Sequence, residues 1–226
     1  MVAQSRATHL DGTGRQMPKT PRSDTARNRH KLVRSAAELV ARDGAGVKMN
    51  EVAEHAGLSL ATAYRHFGSV EKAVEQYRFD VGMKLYAYSV TCEAQGVPLL
   101  HAVSQHWVGL VVRHGRAMVS TRSREGYLKR LRAGTPYVSV GADALALPIR
   151  SAAAELGIPD PGDEGMFLWN ILFDPREIFD LIETLGMSPE AVTDRLVTTY
   201  CAALVGWLDG RIPPSPATRQ SDDANA

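Results

Sequence analysis

The sequence predicts an all-α protein, and three observations carry that prediction. No proline occurs between Pro21 and Pro98, so a long window is free of the strongest helix breaker. The same window is dense in Ala, Glu, Leu, Arg and Lys, the better helix formers. Nowhere do apolar and polar residues alternate with the period of two that a half-buried strand requires, and no internal repeat is present. The 226 residues, 44% hydrophobic and 23% charged, suffice for one large or two small domains with a packed core.

The elements follow in order. Residues 1–22 are rich in Gly, Thr, Ser and Arg, lack apolar periodicity and read as a disordered basic arm. A first helix begins near Ser23 or Asp24, either of which can cap it, and stops at Gly44. Leu32, Ala36, Leu39 and Val40 form its inner face. Short helices are expected over 49–56 and 60–66, then a long one from a Ser69 cap to about residue 93. The stripe of that long helix is Val70, Val74, Tyr77, Val81, Leu85, Tyr88 and Cys92, spaced by threes and fours. Beyond Pro98, helices are expected over 99–113 and 123–132, and over 137–156 with a kink or a fresh start at Pro148. A loop over 157–163 precedes an apolar helix over 166–173. Asp174-Pro175-Arg176-Glu177 and Ser188-Pro189-Glu190 each open a helix, to about 185 and 209 respectively. Pro213, Pro214 and Pro216 mark 211–226 as a disordered tail. The domains expected are therefore 23–80 and 81–210, between arm and tail.

Charge is divided unevenly along the chain. The formal net charge is only +1, which argues against a uniformly basic nucleic-acid coat. Yet residues 1–34 carry eight Lys or Arg against two Asp, whereas 69–226 carry fifteen basic against nineteen acidic residues. One end is suited to a polyanion and the other is not. Cys92 and Cys201 cannot make a disulfide scaffold; each lies in an apolar helical stretch and reads as a small buried hydrophobe. The longest apolar run is too short to cross a membrane, and the N-terminus lacks an apolar signal core, so the cytoplasm is expected.

The informative stretch is KMNEVAEHAGLSLATAYRHF, residues 48–67. A short helix, a turn at Gly57 and a second short helix make a helix-turn-helix. Ala53 allows close helix contact; Leu58, Ala63 and Phe67 pack beneath. Leu60, Ala61, Thr62, Tyr64, Arg65 and His66 are left on outward or edge positions. Hydroxyls, an imidazole and a guanidinium on a short helix suit the major groove, where phosphates and base edges accept hydrogen bonds.

Residues from about 25 to 80 resemble the DNA-binding domain of TetR-type transcriptional regulators. The likeness lies in LVRSAAELVARDG, NEVAEHAGLS, TAYRHF, and the Ser69 and Glu71 that follow. The resemblance implies phosphate contacts from Thr62, Tyr64 and His66, with Leu60, Ala61 and Arg65 where bases are read. Ser59 joins this set at the helix start. The chain departs from the family pattern twice. Val70 stands where the family usually has Lys, leaving open whether Lys72 substitutes. Lys48 stands where Ser or Thr often caps the second helix, so Asn50 is the expected cap and Lys48 a phosphate contact. The resemblance further implies a homodimer on a palindromic double-stranded DNA operator, acting as a repressor, with a small-molecule effector bound by the C-terminal domain.

In that C-terminal domain Trp107, Met118, Tyr127, Met166, Phe167 and Trp169 are large apolar residues; core packing explains most, and a ligand cavity could use some. The last helix is apolar over much of its girth. Val192, Leu196, Tyr200, Ala203 and Trp207 make one face, and Val197, Cys201, Leu204 and Leu208 a second. With 166–185 it is the expected dimer surface. His101, His106 and His114 are spaced poorly for one helix face, and no Cys or carboxylate stands near in sequence to complete a metal set. No nucleophile–base set or phosphate loop is present, so neither an enzyme nor a cofactor is expected. Two rivals remain: a metal-assisted helical enzyme using His101, His106 or the acids of 160–164, and a helix-turn-helix that binds a protein.

Overall fold

The computed structural model describes residues 21–119, 123 and 125–209. The expected tail lies outside the described residues, as does the arm except for residues 21 and 22, which are helical. The elements are α1 (Pro21–Asp43), a 3-10 turn (Gly44–Gly46), α2 (Met49–His55), α3 (Leu60–His66), α4 (Val70–Thr91) and α5 (Gly96–Val119). They continue with α6 (Tyr127–Arg132), α7 (Pro136–Glu155), α8 (Gly162–Leu172), α9 (Pro175–Glu183) and α10 (Pro189–Asp209). Among the described residues there is no strand.

Two apolar cores result. The smaller joins Leu32, Ala36 and Leu39 of α1 to Val52 and Ala53 of α2, Ala63 of α3 and Val74 of α4. Its alanines matter, because Ala53 and Ala63 are almost wholly buried where α2 and α3 approach. The larger core joins Leu85 of α4, Val103 and Val111 of α5, and Leu145 and Ile149 of α7 to Trp169, Ile178, Tyr200 and Leu204. Tyr77 of α4 packs against both. A single long helix therefore contributes to two cores, which links them mechanically.

Several boundaries differ from expectation. Helix α5 starts three residues before Leu99 because α7 caps it. The Gly96 amide donates to Ser151 Oγ (2.7 Å) and the Val97 amide to Glu155 Oε2 (2.8 Å). Gly96 has φ +61, and a Cβ there would collide with the Glu155 carboxylate, so only glycine fits. Pro98 falls in the first turn, where its missing amide hydrogen costs nothing. At the other end, α5 runs on to Val119 rather than stopping at Arg113.

Helix α7 neither ends nor restarts at Pro148. Proline removes the hydrogen bond that the carbonyl four residues back would accept. That carbonyl, of Ala144, instead accepts from the buried Ser89 hydroxyl of α4 at 2.6 Å. Helix α6 begins at Tyr127 rather than 123, with Gly126 extended ahead of it (φ −63, ψ 158). The loop expected to reach 163 gives way to α8 at Gly162.

In α10 the two expected apolar faces merge into one broad buried side carrying Val192, Leu196, Val197, Tyr200 and Leu204. Trp207 departs from that side and is 56% exposed, its ring 6.3 Å from Phe167 of α8.

Candidate nucleic-acid interface and C-terminal cavity

Helix α2 is opened by a residue that the sequence reading passed over. The Lys48 amide donates to Glu51 Oε2 at 2.7 Å. Glu51, not Asn50, therefore caps α2, because its longer side chain folds back over the first turn. The Lys48 side chain forms no cap and is exposed. Gly57 takes the turn with φ +66, a backbone conformation that costs a side chain. Leu58 then returns its amide to the Ala53 carbonyl at 2.9 Å, which fixes the angle at which α3 leaves.

Ser59 caps α3. Its Oγ accepts from the Thr62 amide (3.2 Å) and donates to Thr62 Oγ1 (2.9 Å). With its oxygen engaged, the Thr62 hydroxyl keeps a proton for an acceptor outside the helix. Ala63 points inward and is fully buried, and Phe67 follows it into the core. The opposite face is open: Leu60 is 44% exposed, Tyr64 54%, and Ala61 and Arg65 are exposed. Tyr64 is thus not a packed aromatic. Thr62 and His66 sit half-buried at the edges. Burial, then the charges of Arg65 and Arg29, push the His66 pKa below the usual histidine value. Its ring is therefore neutral at pH 7 and presents one N–H donor.

The neighbouring elements brace this helix. The Arg29 guanidinium of α1 lies 4.4 Å over the Phe67 ring, and Arg29 donates to Gln76 Oε1 of α4 at 2.5 Å. Lys72 is exposed in the first turn of α4 and pairs with Glu75 at 2.7 Å. Val70 is buried in the small core. Residues 48, 59–62, 64–66 and 72 therefore all lie on or beside the α2–α3–α4 unit, and among the described residues none covers the outer face of α3.

Residues 32–75 match the family model described as bacterial regulatory proteins, tetR family. Over this stretch the helix-turn-helix domain is similar to that family. Solved structures of tetR-type proteins share the fold over most of the chain. A tetR-family transcriptional regulator from Streptomyces coelicolor aligns with TM-score 0.55 at 16% identity, covering 80% of this chain and 83% of its own. A TetR-like regulator from Rhodococcus sp. RHA1 aligns with TM-score 0.53 at 16% identity, covering 84% and 99% respectively. The fatty acid degradation regulator FadR from Bacillus halodurans aligns with TM-score 0.53 at 12% identity, covering 83% and 98%. At these identities the likeness is one of fold. No curated protein sequence matches the chain.

Behind the helix-turn-helix domain, α4 to α9 line a cavity of about 540 Å³. Trp107, Met118, Tyr127 and Trp169 line it. Met166 and Phe167, named with them from sequence, do not. On α8 the cavity takes Trp169, Asn170 and Phe173, whereas Phe167 is two residues from Trp169, turns away and meets Trp207. Met166 is a turn closer to the start of α8 and packs against the larger core.

The sequence reading missed the polar part of the wall: Arg78, Arg130, Tyr137, Asn170, Asp174 and Arg176. Arg78 donates to the Met118 carbonyl, and its guanidinium lies 5.5 Å from the centre of the Tyr137 ring. Burial pulls its pKa below the usual arginine value. Burial also pushes the Tyr127 phenol up to about 12, so it stays a neutral donor. The signal that could have found Arg78 is its place beside Tyr77, within the apolar stripe of α4.

The histidines have other partners. His101 Nε2 meets Asp194 Oδ1 at 2.7 Å, a carboxylate from a distant helix that sequence spacing could not reveal. His106 stacks on Tyr88 with ring centres 4.2 Å apart, and His114 Nδ1 lies 2.7 Å from the Tyr77 hydroxyl. Among the described residues no three metal-ligating side chains gather at one point. Among them, too, no helix is long and apolar enough to cross a membrane. Cys92 and Cys201 are only partly buried.

Proposed function

We propose that this DNA-binding regulator is a repressor that grips a palindromic operator as a homodimer and releases it when a small molecule fills the C-terminal cavity. The uncovered outer face of α3 carries the reading: Tyr64, more than half exposed, has no structural task there. Thr62, Tyr64 and His66 supply donors for phosphates; Leu60, Ala61 and Arg65 face base edges, the two apolar residues suiting thymine methyls. Lys48 and Lys72 add charge, Lys72 by exchanging Glu75 for a phosphate.

A homodimer is supported by exposed apolar surface on α8 and α10. Ile171 is 48% exposed one turn on from Phe167, which itself meets the exposed Trp207. Two copies joined there by a two-fold axis ask for half-sites about one helical turn apart or more. Release is supported by α4. Its first turns pack in the small core, while Arg78, Gly82 and Leu85 line the cavity. A ligand that prefers one setting of α4 biases the spacing of the two reading helices. Coupling of about 1–3 kcal/mol changes operator affinity roughly 5- to 150-fold.

Selection of bound fragments from the organism's own DNA should yield a palindrome. If each subunit neutralises about four phosphates, log affinity should fall against log salt with a slope near −7. A flat salt response would contradict this docking.

A further inference from the structure

We propose that the C-terminal cavity takes an organic oxyanion, a carboxylate on a flat apolar body, held by the donors around Arg130, Arg78 and Trp169. The proposal rests on reading this cavity as the effector site and names the chemical class of its ligand.

Arg78, Arg130 and Arg176 line the cavity, against the carboxylates Glu125 and Asp174. Both carboxylates are engaged. Glu125 pairs with Lys129 at 2.7 Å, and Lys129 does not line the cavity. Asp174 accepts from the Arg176 side chain at 2.5 and 3.0 Å and from its amide at 2.9 Å. Arg176 is thereby neutralised, whereas Arg130, whose side chain meets the neutral Tyr137 hydroxyl, adds positive charge to the wall. The Arg78 and Arg130 guanidinium groups lie 5.5 and 5.9 Å from the centre of the same Tyr137 ring. They repel each other: burial lowers the Arg78 pKa most and the Arg130 charge adds to it, against Tyr137 and Glu75, which raise it. An anion beside Arg130 offsets that repulsion.

Hydrogen-bond valence points the same way. Arg130 Nε and Trp169 Nε1 are buried and find no acceptor among the described residues. Both groups only donate. Arg130 Nη1 already donates to the Tyr137 hydroxyl at 2.9 Å, which leaves that phenol a proton to give. A ligand bringing acceptors satisfies such a wall; an amine or ammonium brings more donors and a repelled charge. The rest of the lining sets the body. The Trp169 and Phe173 rings stack at 4.9 Å, and Trp107 lies 5.6 Å from Trp169. About 540 Å³ suits a small molecule with one or two fused rings.

The test is calorimetric titration of the full-length protein, without DNA, using three matched probes: 2-naphthoate, 2-naphthamide and 2-naphthylmethylamine. The acid should bind at least about tenfold more tightly than the amide, and the ammonium most weakly. Arg130→Gln should remove most of the acid's advantage over the amide, whereas Arg130→Lys should keep part of it. An unchanged unfolding midpoint reports that the variant is folded. Equal affinity for acid and amide, a preference for the ammonium, or no binding of any probe at millimolar concentration would overturn the proposal. The effector reading is tested separately: an acid that binds with this preference but leaves DNA affinity unchanged upholds the anion site and ends the idea of release.

Discussion

The two halves of the molecule secure their helix ends in different ways. In the helix-turn-helix domain the caps are local. Glu51 takes the Lys48 amide, Ser59 the Thr62 amide and Ser69 the Lys72 amide, each across three residues. In the C-terminal half α9 and α10 keep local caps, but the caps of α5 and other key bonds cross the fold. Ser151 and Glu155 hold the amides of Gly96 and Val97 across 55 and 58 residues, and Ser89 holds the Ala144 carbonyl across 55. The Tyr200 hydroxyl donates to the Gly165 carbonyl across 35 residues, and the Trp107 indole to the Phe173 carbonyl across 66. The functional surfaces follow the same division. The proposed reading surface centres on one short run, 59–66, whereas the cavity draws its lining from Arg78 to Arg176. One half carries its function in a word and the other in an assembly.

Breaking a long-range bond should cost most. Ser89→Ala leaves a buried carbonyl without a donor in a helix that proline has already deprived of one, so stability should fall by about 1–3 kcal/mol. Restoring the local bond with Pro148→Ala should make the same Ser89 change much cheaper. A double-mutant cycle in urea midpoints measures this coupling, and additivity of the two changes would show that the hydroxyl and the proline are independent.

The local caps sharpen the comparison from the other side. Ser59→Ala should cost about 1 kcal/mol of stability. Because α3 has seven residues, too few to be helical by itself, the change should also weaken DNA binding several-fold while cavity-ligand affinity stays unchanged. Gel-shift and calorimetric titrations of one preparation read both quantities, and an equal loss in the two would contradict the separation.

This division explains what could be read in the chain. The starts of α9 and α10 were legible because their caps are local: Asp174 accepts from the Arg176 amide at 2.9 Å and Ser188 from the Ala191 amide at 3.2 Å. The start of α5 was misread because its caps come from α7. The same holds for Pro148, whose consequence is repaired by a serine on another helix. The outward face of α3 followed from period and turn chemistry, and Ala63 and Phe67 are buried beneath it as that period requires. The cavity was half legible. Large aromatics such as Trp107 and Trp169 stand out in any sequence, but an arginine reads as solvated surface until its neighbours are known. Glu51 was overlooked because Asn50, a residue type typical of caps, sits beside it.

The central claim is that the open face of α3 reads DNA. Operator affinity of the Tyr64→Ala, Arg65→Ala double variant, at fixed salt and with the oligomeric state and unfolding midpoint unchanged, tests it most directly. Each contact is worth about 1–3 kcal/mol, so the loss should be at least about 30-fold. An intact, folded variant that binds the operator as tightly as the parent protein would contradict the account.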